Sequence, residues 1–212
     1  MFYDRRQAGS LLVERLKKAP LLKAVIYAIA RGGVVVGYEI ARKLRLPFHV
    51  LIVKKIGAPY NSELAMGSIA PEKISYIDGK LALGLGIDQK QLDALMAVKE
   101  KELSERVEKY KIKYPKSLSG KSIILTDDGV ATGATVIAAI KYLRRKKAQK
   151  VILAVPVVAK DTFVRLQPMV DKLIALEVAE SFGAVGQFYE HFPQVSDEEV
   201  IKIIQSTNHP IT

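Results

Sequence analysis

One stretch of twelve residues, ILTDDGVATGAT at positions 124–135, limits the fold of this chain more than any other. An apolar run ends in two adjacent carboxylates, Asp127 and Asp128, and a turn of small residues with two hydroxyl groups then leads into a helical pattern. Such a strand–turn–helix unit puts the acids at the carboxyl end of a strand and presents backbone N–H groups at a helix N-terminus. Carboxylates suit sugar hydroxyls and hydrated Mg²⁺, whereas N–H and Thr hydroxyl groups suit a phosphate. We therefore expect this turn to hold a phosphorylated sugar.

Other interpretations of the turn fit its residues less well. In a purely structural interpretation, Asp128 or Thr132 is a helix cap. A cap, however, requires neither two adjacent acids nor a loop made almost entirely of small residues. A nucleotide-triphosphate loop would need Gly-Lys-Ser/Thr after the strand, and Gly133 is followed by Ala134. The Gly-Lys-Ser triplet at 120–122 does not fit either, because it precedes an apolar strand instead of following one. The Gly-Leu-Gly at 84–86 lacks the third Gly of a dinucleotide-binding fingerprint.

Apolar runs alternate with helical patterns along most of the chain, which is typical of parallel strands joined by helices. We predict an α/β fold with a mostly parallel twisted sheet and helices on both faces, as a single domain over residues 1–212. The predicted strands are residues 24–30, 48–53, 122–126, 150–158 and 172–178, and the predicted helices are residues 34–43, 134–145 and 161–167, after a first helix that Asp4 caps and that runs to about residue 18. Ligands bind such sheets at the carboxyl ends of strands.

The segment 57–119 interrupts this alternation. It contains a Gly/Pro/Asn-rich loop, short alternating stretches at 73–77 and 80–83, and a long helix at about 89–111. The apolar residues of that helix form one stripe: Leu92, Leu95, Met96, Leu103 and Val107. We favour a surface helix lying on the sheet over a dimer contact. Near the C-terminus, Ser196 and Glu199 predict a capping box for a last helix.

Composition limits the possible functions. With 212 residues, 49% of them hydrophobic, the chain can bury a core as one domain. No apolar run is long enough to cross a bilayer and no signal core is present, so we expect a cytoplasmic protein. The absence of cysteine excludes disulfides and thiolate sites. His49, His191 and His209 are too scattered to predict a metal site.

The formal charge of +11 raises the possibility of nucleic-acid binding. The densest basic run, residues 141–150, lies at a predicted helix C-terminus, where cations favour the helix dipole. Only Tyr142 interrupts it with an aromatic ring, so no stacking platform is predicted. We expect the charge to attract a small polyanionic substrate, and no nucleic acid.

Two segments of the chain resemble the binding loops of a known family. The segment 124–135 is similar to the ribose-5-phosphate loop of the type I phosphoribosyltransferases. The residues Tyr-Ala-Ile-Ala at 27–30, followed by Arg31-Gly32-Gly33 and an amphipathic helix, resemble the family's pyrophosphate loop. The resemblance runs through nearly the whole chain and is closest to a branch of predicted phosphoribosyltransferases of unknown acceptor, marked by DRRQAG at 4–9, KKIGAP at 54–59 and FGAVGQFYEHF at 182–192.

The resemblance implies an Mg²⁺-dependent pentosyltransferase that displaces pyrophosphate from 5-phosphoribosyl-1-pyrophosphate with a nitrogenous acceptor, a nucleobase being favoured. It implies that Asp127 and Asp128 bind the ribose diol and help to place Mg²⁺, directly or through substrate and water, and that Arg31, Gly32 and Gly33 contact pyrophosphate. The 5-phosphate and substrate loop would comprise Gly129, Val130, Ala131, Thr132, Gly133, Ala134 and Thr135. Family habit also suggests a homodimer and a mobile loop before the long helix.

Lys54 and Lys55 follow an apolar strand and should emerge near the leaving group. Alternation along a strand points them to opposite faces, so at most one is expected to reach the site. Lys54 is slightly favoured, and the alternative is that both are ordinary surface charges.

The acceptor is expected under a hood at about residues 179–195. Phe182, Phe188 and Tyr189 could stack on a base and Glu180 or Glu190 could receive its proton, or the aromatic rings could simply cap the core. Relatives that act on 6-oxopurines carry an Asp at the position of Ala131, which makes adenine the weakly favoured base. Two alternatives stay open: a non-catalytic sensor of the sugar phosphate, and a hydrolytic or phosphorolytic relative acting without a base.

Overall fold

The structure is a computed structural model and describes residues 1–18, 23–59 and 61–207, so His209 lies outside the described residues. Its strands are β1 Ala24–Ile29, β2 Phe48–Leu51, β3 Lys54–Ala58, β4 Asn61–Ala70, β5 Ile74–Ile77, β6 Ser122–Thr126, β7 Lys150–Ala159 and β8 Lys172–Ala179. Its helices are α1 Arg5–Leu16, α2 Gly32–Leu44, α3 Gly79–Gly84, α4 Gln89–Lys109, α5 Ala134–Arg145, α6 Lys160–Leu166 and α7 Asp197–Thr207. Short 3₁₀ turns lie at Gln167–Met169, after α6, and at Val185–Phe188, after β8.

Five of the strands form a parallel sheet in the order β2-β1-β6-β7-β8. Every residue of β1 and β6 is buried, as expected when helices cover both faces of a parallel sheet. The chain proceeds outward from β1 in one direction and from β6 in the other, so the strand order reverses between them. The register pairs Ala28 with Thr126, which sets the carboxyl ends of the two strands side by side. This arrangement confirms the predicted α/β architecture and places a ligand crevice between β1 and β6.

The two faces of the sheet have separate cores because neighbouring residues of a strand point to opposite sides. Tyr27 and Leu125 face α5, where they pack with residues such as Val136. Ile26 and Ile124 face α1 and α2. All five predicted strands and the predicted helices form, with β6 and α5 at the predicted bounds. Among the described residues, none of the helices is long and apolar enough to span a lipid bilayer.

The segment after β2 contains more regular structure than the predicted Gly/Pro/Asn-rich loop, while the alternating stretch predicted at 73–77 contains β5. Strands β3, β4 and β5 form a separate antiparallel sheet. Gly67 of β4 lies where a Cβ would come within 2.3 Å of the Tyr76 carbonyl oxygen of β5, so the glycine permits this pairing. The stretch at 80–83 was predicted to alternate like a strand and is instead part of α3, because the Asp78 side chain accepts a hydrogen bond from the Leu81 N–H and caps a helix there.

Helix α4 lies on this small antiparallel sheet and not on the parallel one. Its start is fixed by a capping box between Asp88 and Gln91. Of the predicted apolar stripe only Leu103 is fully buried, and the other four residues are half-buried. Leu103 packs in a cluster with residues of the small sheet, such as Ile56 and Met66. Leu103 is therefore the most deeply buried contact between α4 and this sheet.

The substitution Leu103→Ala is expected to lower the free energy of unfolding by about 2–4 kcal/mol, because it leaves a cavity under α4. Val98→Ala, at a position 56% exposed on the same helix, is the matched control and should change it by less than about 0.5 kcal/mol. Urea unfolding followed by circular dichroism measures both. Equal effects of the two substitutions would show that α4 is not anchored at Leu103.

Candidate functional site

The paired acids lie directly after β6 and are held from two sides. The Asp128 backbone N–H donates to Asp127 Oδ1 at 2.9 Å. Asp128 Oδ2 accepts from Arg5 Nε at 2.8 Å, and these two side chains are only 15% and 8% exposed. Tyr189 donates its hydroxyl to the Asp128 backbone oxygen at 2.6 Å. The orientation of Asp128 is therefore fixed by helix α1 and by the segment that follows β8.

Burial dominates the electrostatics of this pair. Burial, and then the charge of the neighbouring Asp128, raises the pKa of Asp127 well above its usual range. Burial also raises the pKa of Asp128, although the Arg5 guanidinium opposes this change. Hydroxyl donors or a cation close to such carboxylates stabilise the ionised form and therefore lower the pKa again. The pair is thus suited to bind a polyol or a hydrated cation.

The loop after β1 lies against the acids. A Cβ on Gly32 would stand 1.8 Å from Asp128 Oδ2, and a Cβ on Gly33 would stand 2.7 Å from Asp127 Cα. Only glycine allows this approach. The peptide bond between Ala30 and Arg31 is cis. The structure therefore brings together the two segments that the sequence singled out separately, at the crevice between β1 and β6.

The turn before α5 is built by Gly133, which has a φ of +70°, a conformation that favours glycine. Gly133 is itself the N-cap and no side chain caps the helix, so the interpretation of Asp128 or Thr132 as a helix cap is wrong. Thr162 donates to the Ala131 carbonyl at 2.6 Å, and Arg165 donates to the Thr132 carbonyl. These bonds hold the carbonyls of the turn toward α6, while the first N–H groups of α5 lack intrahelical acceptors.

A cavity of about 430 Å³ opens beside this turn. Its lining comprises Lys55, Ala65, Gly129, Val130, Ala131, Thr132, Gly133, Ala134, Thr135, Gly183, Ala184 and Val185. All seven residues of the predicted phosphate and substrate loop therefore face one space. The volume lies within the usual range for small-molecule sites. Gly183, Ala184 and Val185 lie within the hood predicted at about residues 179–195, although the sequence did not single them out as site residues.

The two lysines take different positions, as alternation along a strand predicts. Lys54 Nζ lies 3.3 Å from Glu102 Oε2 of α4, and burial lowers the pKa of Lys54. Lys55 lines the cavity. The lysine that reaches the cavity is therefore Lys55 and not Lys54, which the sequence slightly favoured, because β3 turns its second residue toward the turn. A role in catalysis stays a prediction for both.

The aromatic residues of the predicted hood cap the core. Phe188 and Tyr189 are 7% and 5% exposed and pack with Phe2 and Val157. Phe182 is half-buried, with its ring centroid 4.9 Å from that of Phe188. Of the two interpretations that the sequence left open for these rings, the structure supports the structural one for Phe188 and Tyr189.

The two glutamates proposed as proton acceptors lie outside the cavity lining. Glu180 is exposed and accepts a hydrogen bond from Lys160, while Glu190 is exposed on the neighbouring segment. Among the described residues that line the cavity, Lys55 is the one charged side chain. The structure therefore provides no carboxylate for the acceptor side of the cavity within the part of the chain that it describes.

Arg31 belongs to a second ionic network that the sequence did not predict. Its Nη1 lies 3.6 Å from Asp197 Oδ1 at the start of α7, and Lys109 Nζ of α4 lies 2.6 Å from Asp197 Oδ2. The Tyr110 hydroxyl also donates to Asp197 at 2.6 Å. Hydrogen bonds from Lys109 and Tyr110 lower the pKa of Asp197 to about 2. Asp197 thus ties the loop after β1 to α4 and α7.

Comparison with known proteins decides the family. The model of the phosphoribosyl transferase domain matches residues 5–189. This chain belongs to the phosphoribosyltransferase family. The resemblance stated from the sequence is thereby confirmed.

Relatives agree with this assignment. A Mycobacterium tuberculosis protein, provisionally named a phosphoribosyl transferase, is 36% identical over 205 residues, which are 96% of this chain and 46% of that protein. The chain therefore spans about half the length of the curated relatives it matches. The crystal structure of TT1426 from Thermus thermophilus is 35% identical, with a TM-score of 0.80 and coverage of 97% and 98% of the two chains. APRTase from Giardia lamblia, complexed with 9-deazaadenine, shares the fold at 13% identity, with a TM-score of 0.50 and coverage of 84% and 80%.

The substitution Gly32→Ala is expected to lower the free energy of unfolding by about 1–3 kcal/mol, since the new methyl group must displace the Asp128 carboxylate. The same substitution at Gly84, where a Cβ would meet nothing within 4 Å, should leave stability unchanged or raise it slightly. Chemical denaturation of both variants tests the difference. If Gly32→Ala is as stable as the unsubstituted protein, the two loops do not lie as close together as described.

The Asp197 network gives a dependence on pH. Because its folded pKa is lowered from 3.8 to about 2, ionised Asp197 contributes stability above about pH 4, and this contribution is lost as the pH falls through about 2. Asp197→Asn should be less stable at neutral pH and should lose less stability over this window. Urea unfolding at a series of pH values measures this, with Asp93→Asn at an exposed position of α4 as the control. Parallel pH profiles for all three proteins would contradict it.

Proposed function

We propose that this chain transfers a 5-phosphoribosyl group from 5-phosphoribosyl-1-pyrophosphate to a nitrogenous acceptor, with Mg²⁺ and release of pyrophosphate. The observation that supports this most is the contact of Gly32 and Gly33 with Asp127 and Asp128, beside a cavity lined by the turn before α5. A sugar that carries a diol, a 5-phosphate and a 1-diphosphate needs three such surfaces next to one another.

Each part of the donor has a matching surface. The 5-phosphate would lie at the turn of residues 131–135, where N–H groups and the hydroxyls of Thr132 and Thr135 are donors. The ribose hydroxyls would donate to Asp127 and Asp128. The diphosphate would extend over Gly32 and Gly33, where the missing side chains let an anion approach the backbone. The donor is thus held from end to end before reaction, and positioning of this kind lowers the barrier.

Mg²⁺ fits the donor set at the acids. Asp127 and Asp128 offer oxygen ligands, which Mg²⁺ prefers, and burial raises the pKa of both, so a cation would stabilise their ionised forms. No group of three or more His, Cys, Asp or Glu side chains among the described residues could hold a metal by itself. Substrate oxygens and water would therefore complete the coordination, as is usual for Mg²⁺. Bound there, the ion would neutralise charge on the diphosphate.

In the proposed reaction, the bond from C1 to the diphosphate oxygen breaks, the bond from C1 to the acceptor nitrogen forms, and the proton that the acceptor loses passes to the released diphosphate or to water. The transition state resembles an oxocarbenium ion, so the negative acids under the ribose stabilise developing positive charge. No covalent nucleophile is required. The small residues of the cavity, such as Ala65 and Val185, would pack around the sugar and acceptor and exclude competing water.

The cavity favours an acceptor that needs no side-chain base. By the family resemblance, Ala131 matches the position where 6-oxopurine relatives carry an Asp, and the small residues Gly183, Ala184 and Val185 also line the cavity. A nucleobase or similar heterocycle whose attacking nitrogen already carries an available lone pair meets this condition.

The direct test is pyrophosphate release from 5-phosphoribosyl-1-pyrophosphate and Mg²⁺ with a panel of purines, pyrimidines and small amines. Release that depends on an acceptor supports the proposal and names the acceptor class. Release without any acceptor would identify a hydrolase. Binding of the sugar diphosphate by calorimetry without turnover for any acceptor would instead identify a sensor of that metabolite, which the lack of a carboxylate base in the described cavity lining would then explain.

The substitutions Asp127→Asn and Asp128→Asn are each expected to weaken binding of the sugar diphosphate in the presence of Mg²⁺ by about 1–3 kcal/mol, because each removes a charge-assisted contact. Isothermal titration calorimetry measures the loss, and Asp93→Asn on the exposed face of α4 serves as the control. Unchanged affinity in both acid variants would remove the paired acids from the site.

A further inference from the structure

We propose that Arg5 is a positioning residue of the sugar site, which orients the Asp128 carboxylate toward the ribose and joins it to the segment at Phe192 and Pro193. The inference rests on the proposed function and extends it to a residue that neither the loop motifs nor the family match assigns.

The surroundings of Arg5 carry this inference. Its Nε donates to Asp128 Oδ2 at 2.8 Å, and its Nη1 donates to the Pro193 carbonyl at 2.8 Å. The guanidinium carbon lies 3.7 Å from the centroid of the Phe192 ring. A Cβ on Gly32 would come within 3.1 Å of Arg5 Nε. One buried cation therefore contacts Asp128 and the segment after β8 and lies close to Gly32 of the loop after β1.

The identity of these partners favours positioning over simple anchorage. A buried arginine needs a carboxylate partner somewhere, and here that partner is the acid that would face the ribose. A bond to one carboxylate oxygen, with the guanidinium plane fixed by the aromatic ring and a carbonyl, prevents rotation of the Asp128 side chain. Arg6, the next residue, is exposed and offers the same charge without these contacts.

The experiment compares two probes that need no metal. Ribose 5-phosphate reports on the acids and on the phosphate turn together, whereas inorganic phosphate reports on the turn alone. By calorimetry, Arg5→Met is expected to lose at least about tenfold in affinity for ribose 5-phosphate, equivalent to about 1.4 kcal/mol, with its affinity for phosphate unchanged. Arg5→Lys, which keeps the charge, should recover part of the loss, and Arg6→Met should match the unsubstituted protein for both probes.

The outcomes separate this inference from the proposed function. Equal affinity of Arg5→Met and the unsubstituted protein for ribose 5-phosphate overturns the role of Arg5 alone. A matching loss for both probes also overturns it, because it indicates a general loss of structure. If Arg5→Met does not fold, Arg5→Lys gives the comparison, and the inference is overturned if its ratio of affinities for the two probes equals that of the unsubstituted protein. An unsubstituted protein that binds neither probe overturns the proposed function and this inference with it.

Discussion

The parallel pairing of β1 with β6 is the constraint on which the rest of the site depends. Because the strands run in the same direction with Ala28 opposite Thr126, the loops that follow them emerge side by side. This register places Gly32 against Asp128 and Gly33 against Asp127 at distances that only glycine tolerates. A shift of one residue in either strand would exchange the side chains of that strand that face α5 with those that face α1 and α2. Core packing therefore fixes the geometry of the polar site.

Local features of the fold could be predicted from sequence, and long-range ones could not. The bounds of β6 and α5 follow from an apolar run, a bare turn and a 3.6-residue pattern that are contiguous. The alternating stretch at 73–77 indicated β5, but β3 and β4 were missed because they are stabilised mainly by pairing with one another and with β5, contacts that no single segment encodes. The same limit explains why the sequence slightly favoured Lys54 although Lys55 lines the cavity. The orientation of β3 relative to the turn before α5 decides which lysine faces the cavity, and this orientation is set only in the folded chain.

The same distinction between local and long-range features applies to the site residues. The acids, the glycines and the phosphate turn share short contiguous motifs, so their types and spacing indicated their chemistry. Arg5 lies 123 residues from Asp128 in sequence, and nothing in the DRRQAG segment distinguishes it from Arg6. Phe188 and Tyr189 look like binding residues in sequence because aromatic rings suit both bases and cores. Only burial separates the two uses, and burial is a property of the folded chain.

Under the proposed function, the crevice between β1 and β6 and the cavity beside it would serve different parts of the reaction. The half-buried acids, the glycine loop and the N–H groups of the turn would bind the polar parts of a phosphorylated sugar. The small cavity residues outside the turn, Ala65 and Gly183 to Val185, would supply shape for the acceptor but no carboxylate. The proposed reaction develops positive charge at carbon, so it would need the acids for stabilisation and the small residues of the cavity for exclusion of water. Under the proposed function, selectivity for the acceptor would then arise from the shape of the cavity, so substitution of a small lining residue outside the turn, such as Ala184, should alter acceptor choice more than donor binding.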